Sequence, residues 1–191
     1  MTRNVLAAAL ALAALPLLQG CFPLLAVGGA GAAALMAGDR RTTGIYIEDE
    51  NIEWKVLSRV REISPNSHIN ATSFNRKILL TGEVVSEADR KRAEDTVRAI
   101  SSVREVANEL QVAGNSSLAS RGSDALITSN VKARMVNNGK FAPNHVKVVT
   151  EAGTVYLLGL VTQPEGEAAA EIARTTSGVT RVVKVFEYLG G

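Results

Sequence analysis

The sequence predicts an α+β protein: two tandem two-layer αββαβ sandwiches after a lipoprotein-type signal and a linker. Three observations carry this reading. One segment recurs at an offset of 77 residues, helical and strand periodicities alternate in the same order in both copies, and the single cysteine closes an apolar amino-terminal run. The chain has 191 residues, 46% hydrophobic and 21% charged, a length that suits one medium domain or two small ones once an export signal is removed.

At the amino end, Arg3 supplies a positive start, Val5 to Leu18 form an apolar core broken only by Pro16, and small Gly20 precedes Cys21. These are the parts of an export signal, too short and too soon interrupted by Pro23 to be a membrane span. Residues 1–20 are therefore expected to be removed, leaving Cys21 as a lipid-bearing first residue. Residues 21–47 then form a Gly/Ala-rich tether with no charge from Phe22 to Gly38, able to act as a leash or to lie against the acyl chains.

The repeat decides the fold. Leu79-Leu80-Thr81-Gly82-Glu83-Val84-Val85 is matched by Tyr156-Leu157-Leu158-Gly159-Leu160-Val161-Thr162, and His68 matches His145 at the same offset. In the first unit, residues 48–112, Ile52, Val56 and Val60 recur at helical spacing. Strands are expected at His68 to Phe74 and Lys77 to Val84, joined by Asn75-Arg76. Ser86, with Asp89 three residues on, signals the start of a second helix. Val103 to Val112 reads as the closing strand. In the second unit, residues 123–191, Ile127, Val131 and Met135 repeat the first helical face. Strands His145 to Glu151 and Thr154 to Val161 follow around Ala152-Gly153. Pro164 suits the first turn of the next helix, and Val179 to Tyr188 closes the unit. Residues 113–122, with Gly114-Asn115-Ser116-Ser117 and Ser120-Arg121-Gly122, read as a polar linker. Each sheet is expected to carry two helices on one face.

Several segments resemble a known family, the tandem BON-domain outer-membrane lipoproteins of Gram-negative bacteria. They are Leu18-Gln19-Gly20-Cys21, Asp39-Arg40-Arg41-Thr42-Thr43-Gly44, the strand Val155 to Thr162, and Ser177-Gly178-Val179-Thr180-Arg181-Val182. The resemblance covers essentially the whole chain. It implies a non-enzymatic protein that supports envelope integrity, with no cofactor other than covalent diacylglycerol and an N-acyl chain on Cys21. Phe22, in place of an aspartate after the cysteine, implies the periplasmic face of the outer membrane. In such proteins the first helix of the second BON domain contacts anionic phospholipid; here that helix is expected at Asp124 to Asn137.

The residues can be asked whether lipid contact is sensible. Residues 48–112 carry ten Lys/Arg against twelve Asp/Glu, and residues 121–191 carry eight against six. The second unit with Arg121 before it, at net +2, is the better partner for an anionic membrane, although each basic group near such a surface contributes only about 1 kcal/mol. With Ile127, Val131 and Met135 turned inward, Leu126 points about 100° away, on a side shared with Asn130, Ala133, Arg134 and Asn137. Together with Lys132 these form the candidate lipid-binding set. The resemblance puts an aromatic residue at the position of Leu126. The alternative is a protein-interaction module docking on outer-membrane assembly machinery or on regulators of peptidoglycan hydrolysis.

Other classes find little support. His68 and His145 at equivalent strand starts read as structural, with neither cysteine nor carboxylate spacing to make a metal site. Glu48-Asp49-Glu50 reads as acidic groups near a helix start. Gly28-Gly29-Ala30-Gly31 follows no strand and precedes no lysine, which argues against nucleotide binding. Net charge of +2 with few aromatics argues against nucleic acid.

Overall fold

The computed structural model describes residues 38–190. Cys21, the signal and most of the tether lie outside them. Two helices and a three-stranded path make each unit. In the first, α1 (Thr43–Ile63), β1 (His68–Phe74), β2 (Lys77–Val84), α2 (Glu87–Arg98), β3 (Glu105–Asn108) and β4 (Gln111–Val112) follow in order. In the second, α3 (Leu118–Val136), a 3-10 turn (Pro143–His145), β5 (Val146–Glu151), β6 (Thr154–Val161), α4 (Gln163–Arg174) and β7 (Arg181–Tyr188) repeat it. In both, the hairpin is antiparallel and the last strand returns parallel to the middle one.

Besides shifts of one or two residues, such as β5 starting at Val146 and β7 at Arg181, three boundaries differ from expectation, each for a local reason. Helix α1 begins inside the stretch assigned to the tether, because the Thr42 side chain caps it by accepting from Ile45 N. Helix α3 begins inside the stretch assigned to the linker, because Ser117 caps it by accepting from Ser120 N. The closing strand of the first unit is split, since the Asn108 side chain accepts the Leu110 N–H and Leu110 turns into the core.

The helical faces pack as their periodicity requires. Ile52, Val56 and Val60 of α1 meet Ala93 and Val97 of α2 over Ile78, Leu80 and Val84 of β2. Ile127, Val131 and Met135 of α3 meet Ala169 and Ala173 of α4 over Val155, Leu157 and Val161 of β6. The alanines are what let α2 and α4 lie close on their sheets.

The middle strands are buried on both faces. On the side away from the helices, Phe74 and Leu79 of the first unit form one cluster with Tyr156, Leu158, Leu160 and Val185 of the second. The two sheets thus stack into four layers, helix, sheet, sheet, helix. A fully buried side chain of this size contributes about 1.5–3 kcal/mol. At the rim, Lys147 Nζ lies 2.8 Å from Glu53, Asn75 donates to Glu187 at 2.9 Å, and Arg104 lies 3.2 Å from Glu187.

The repeated glycines are explained by the hairpins. A Cβ at Gly82 would sit 2.0 Å from the His68 carbonyl oxygen, and one at Gly159 would sit 2.3 Å from that of His145. No side chain fits where the neighbouring backbone comes that close. Gly159→Ala should therefore lower stability by about 2–3 kcal/mol, read by urea denaturation. Leu158→Asp places an unpaired charge between the sheets and should split the single calorimetric transition expected of the four-layer body into two.

Candidate functional site

Helix α3 is held in place by its own buried acid. Asp124 accepts the Ala152 N–H at 2.9 Å and the Gly153 N–H at 2.8 Å, pinning the helix to the β5–β6 turn. Asp49 does the same in α1, accepting from Asn75 N at 2.8 Å, Arg76 N at 2.7 Å and Ser73 Oγ at 2.6 Å. Asn75, Arg76, Ala152 and Gly153 all have positive φ, so these tight turns leave N–H groups that an inward carboxylate satisfies. The acidic run around Asp49 is thus not a dipole feature at the helix start. Its middle residue is a buried anchor.

With Asp124, Ile127, Val131 and Met135 facing inward, the opposite side of α3 is settled by geometry. Leu118, Ala125, Leu126, Ser129, Ala133 and Val136 are all exposed and fall within about 100° of arc at 100° per residue. Leu126 is 68% exposed. The face carries no charge from one end of the helix to the other.

The expected set divides on this surface. Leu126 and Ala133 lie on the uncharged face, with Asn130 and Asn137 along one edge, all four exposed. Asn137 donates back to the Ala133 carbonyl at 3.2 Å. Lys132 runs along the other edge and makes no ion pair among the described residues. Arg134 is turned aside: it donates to the Ile172 carbonyl at 2.8 Å, Thr176 Oγ1 at 2.7 Å and Thr175 Oγ1 at 2.9 Å. Its charge serves the C-terminal end of α4, where a cation is favoured. Leu118 and Val136 were not foreseen. Starting the helix at Asp124 hid the first, and Ser117 as a cap was the signal that could have found it.

Both histidines sit beside carboxylates and not beside each other. His68 Nδ1 is 3.1 Å from Glu83 and His145 Nδ1 is 3.6 Å from Glu165. The segment before α1 spans both units. Arg41 pairs with Asp49 at 2.8 Å and stacks on Phe74, 4.0 Å from the ring centre. Arg40 makes a two-pronged bond to Glu165, at 2.7 and 2.9 Å, and donates to the Leu160 carbonyl at 2.8 Å. Hydrogen bonding from Arg40, reinforced by the Thr162 N–H and outweighing burial, draws the Glu165 carboxyl down from 4.5 to about 2.

The BON domain family matches residues 48–114 and again residues 123–190. The chain belongs to the BON-domain family. Its two BON domains are the two units described above. Over 184 residues and 95% of each chain it is 41% identical to the outer membrane lipoprotein DolP of Haemophilus influenzae. It is 30% identical over 154 residues, 79% of each chain, to the 21 kDa hemolysin of Actinobacillus pleuropneumoniae. Among solved structures, the C-terminal domain of CdsD, a structural protein of the type III secretion system of Chlamydia trachomatis, overlays with a TM-score of 0.31 and 12% identity, covering 71% of this chain and 96% of that one. With a relative matched along nearly its whole length, the chain is an outer-membrane lipoprotein. No helix among the described residues is long and apolar enough to cross a membrane.

The Arg40–Glu165 pair has a pH signature. A carboxyl whose folded value lies below its unfolded one stabilises the protein above the unfolded value, and that stabilisation is lost as pH falls through the folded value. Stability should therefore decline between pH 4.5 and about 2. Arg40→Ala should flatten that part of the acid limb in urea melts.

Proposed function

We propose that the second BON domain lays the uncharged face of α3 against anionic phospholipid while acyl chains on Cys21 hold the protein at the periplasmic face of the outer membrane, and that this contact supports envelope integrity. The observation that carries the reading is the run from Leu118 through Leu126 to Val136. A helix face about 27 Å long stands exposed without a charge, where a solvated face is ordinarily polar and charged.

The mechanism follows from the arrangement. Leu118, Leu126 and Val136 enter the boundary between headgroups and acyl chains, to a depth of about 5–10 Å. Lys132 along the edge meets lipid phosphate, at about 1 kcal/mol per basic group, and salt screens that attraction. Arg134 acts indirectly: by tying α3 to α4 it keeps the face rigid. The acyl anchor makes the encounter intramolecular, so a weak affinity of the helix suffices. Binding and positioning, not catalysis, are what these groups perform.

A second reading has an observation of its own. Trp54, 74% exposed, and Ile47 lie on the same side of α1, and exposed aromatics are enriched at protein interfaces. That surface suits docking on outer-membrane assembly machinery or on regulators of peptidoglycan hydrolysis.

The test is sedimentation with vesicles. Protein made from Phe22 onward, which lacks both the signal and the acyl anchor, should bind phosphatidylglycerol vesicles better than phosphatidylcholine vesicles, and less at high salt. Leu126→Asp should reduce that binding about tenfold, with stability changed by less than about 0.5 kcal/mol because the site is exposed. Undiminished binding by folded Leu126→Asp sinks the lipid reading. Loss of envelope function on Trp54→Ala with normal vesicle binding favours the docking reading.

A further inference from the structure

Where the two sheets meet, one end of the seam holds side chains that packing does not require. His68 at the start of β1 and Glu83 at the end of β2 come from the first domain, and Glu151 at the end of β5 comes from the second. His68 Nδ1 lies 3.1 Å from Glu83 Oε2. One nitrogen or oxygen from each of the three residues lies within 4.8 Å of the other two. Glu83 and Glu151 are only 6% and 9% exposed. Among the described residues neither has a lysine or arginine within ion-pair distance. Charges withdrawn from water without a counter-ion are costly.

The repeat shows that the fold does not demand acids here. At the offset of 77, the residue matching Glu83 is Leu160 and the residue matching Glu151 is Phe74, both apolar members of the cluster between the sheets. At that other end, Arg40 and Arg41 supply the cations, reaching Leu160, Glu165, Phe74 and Asp49. Counting back from the helix caps Thr42 and Ser117, the positions that match Arg40 and Arg41 are Asn115 and Ser116. One end of the seam has two arginines that pair with Glu165 and Asp49. The other has two buried carboxylates with His68 beside one of them and, among the described residues, no lysine or arginine within ion-pair distance.

We propose that His68, Glu83 and Glu151 bind a divalent transition-metal ion of the zinc class across the seam, tying the two BON domains together. One imidazole nitrogen and two carboxylate oxygens suit such an ion. A tetrahedral ion with bonds of about 2.0–2.1 Å holds its ligand atoms roughly 3.3 Å apart, so small side-chain rotations close the set. Supporting hydrogen bonds are in place: Asn70 Nδ2 donates to Glu151 Oε2 at 3.0 Å, and Ser116 N donates to Glu83 Oε2 at 3.1 Å. Such partners orient metal ligands. A cleft of about 380 Å³, lined by Glu83, Glu109, Glu151, Tyr156 and Arg181 among others, gives the ion a way in and room for a water as fourth ligand.

The test uses the full lipoprotein, purified in detergent and stripped with a chelator, then titrated with zinc, manganese, magnesium and calcium chlorides by calorimetry and thermal melting. One zinc ion should bind per chain with a Kd of about 10 µM or tighter, and excess zinc should raise Tm by about 5–10 °C. His68→Gln and Glu151→Gln should each weaken zinc binding about tenfold or more. Glu109→Gln, in the same cleft, should not. In the metal-free state Glu151→Gln should melt no lower than the parent, because it removes a buried charge, so lost binding is not lost folding. A folded parent that takes up no zinc at about 1 mM, or unchanged zinc binding in both Glu151→Gln and Glu83→Gln, overturns the proposal. Tighter binding of magnesium or calcium than of zinc overturns the assignment to a transition metal.

Discussion

Everything in this structure depends on the apolar contact between the backs of two sheets. Each BON domain covers one face of its sheet with two helices, and the other face is left for its neighbour. Phe74 and Leu79 meet Tyr156, Leu158, Leu160 and Val185 there, and with both faces closed the middle strands β2 and β6 become the interior of the whole molecule. The rim ion pairs, the arginine segment before α1 and the linker at Ser116 all lie where that contact puts them. The outward direction of α3 follows too, since a helix on the far side of a buried sheet has nowhere to turn but solvent.

The sequence made the order of elements plain for a physical reason: the helices bury one face and so keep a four-residue apolar rhythm. Ile52, Val56 and Val60, and again Ile127, Val131 and Met135, needed nothing beyond that rhythm to be placed. The hairpins were marked by Asn75-Arg76 and Ala152-Gly153, and the glycines at 82 and 159 by the repeat itself. Helix starts were harder, because the caps Thr42 and Ser117 are small polar residues, and small polar residues also make linkers. The stacking of the sheets went unread, although Tyr156-Leu157-Leu158-Gly159-Leu160-Val161 carries its signature. A strand that is apolar at every position has two faces to bury, and two helices account for only one of them.

The candidate surface was legible in part. Leu126 could be set on the outer face of α3 from spacing alone, because the inner face was already taken. That Arg134 bends toward the end of α4 could not be, since its partners Ile172, Thr175 and Thr176 lie about forty residues on and no local pattern links them. Asp49 and Asp124 show the same limit. Read locally, an acid in a helix is a solvated charge. Only the fold reveals that each one holds a hairpin turn.

The back-to-back sheets also bear on how such a protein arises and how far it can be dissected. A single unit cut free would display the greasy side of its sheet, with Tyr156, Leu158 and Leu160 in the second half, and a patch of that kind drives association. The half-molecule is therefore a sticky object whose natural state is a pair. Joining two copies in one chain makes the pairing permanent and lets the copies diverge, so that one presents an uncharged α3 face outward while the other carries Arg40 and Arg41 ahead of its first helix.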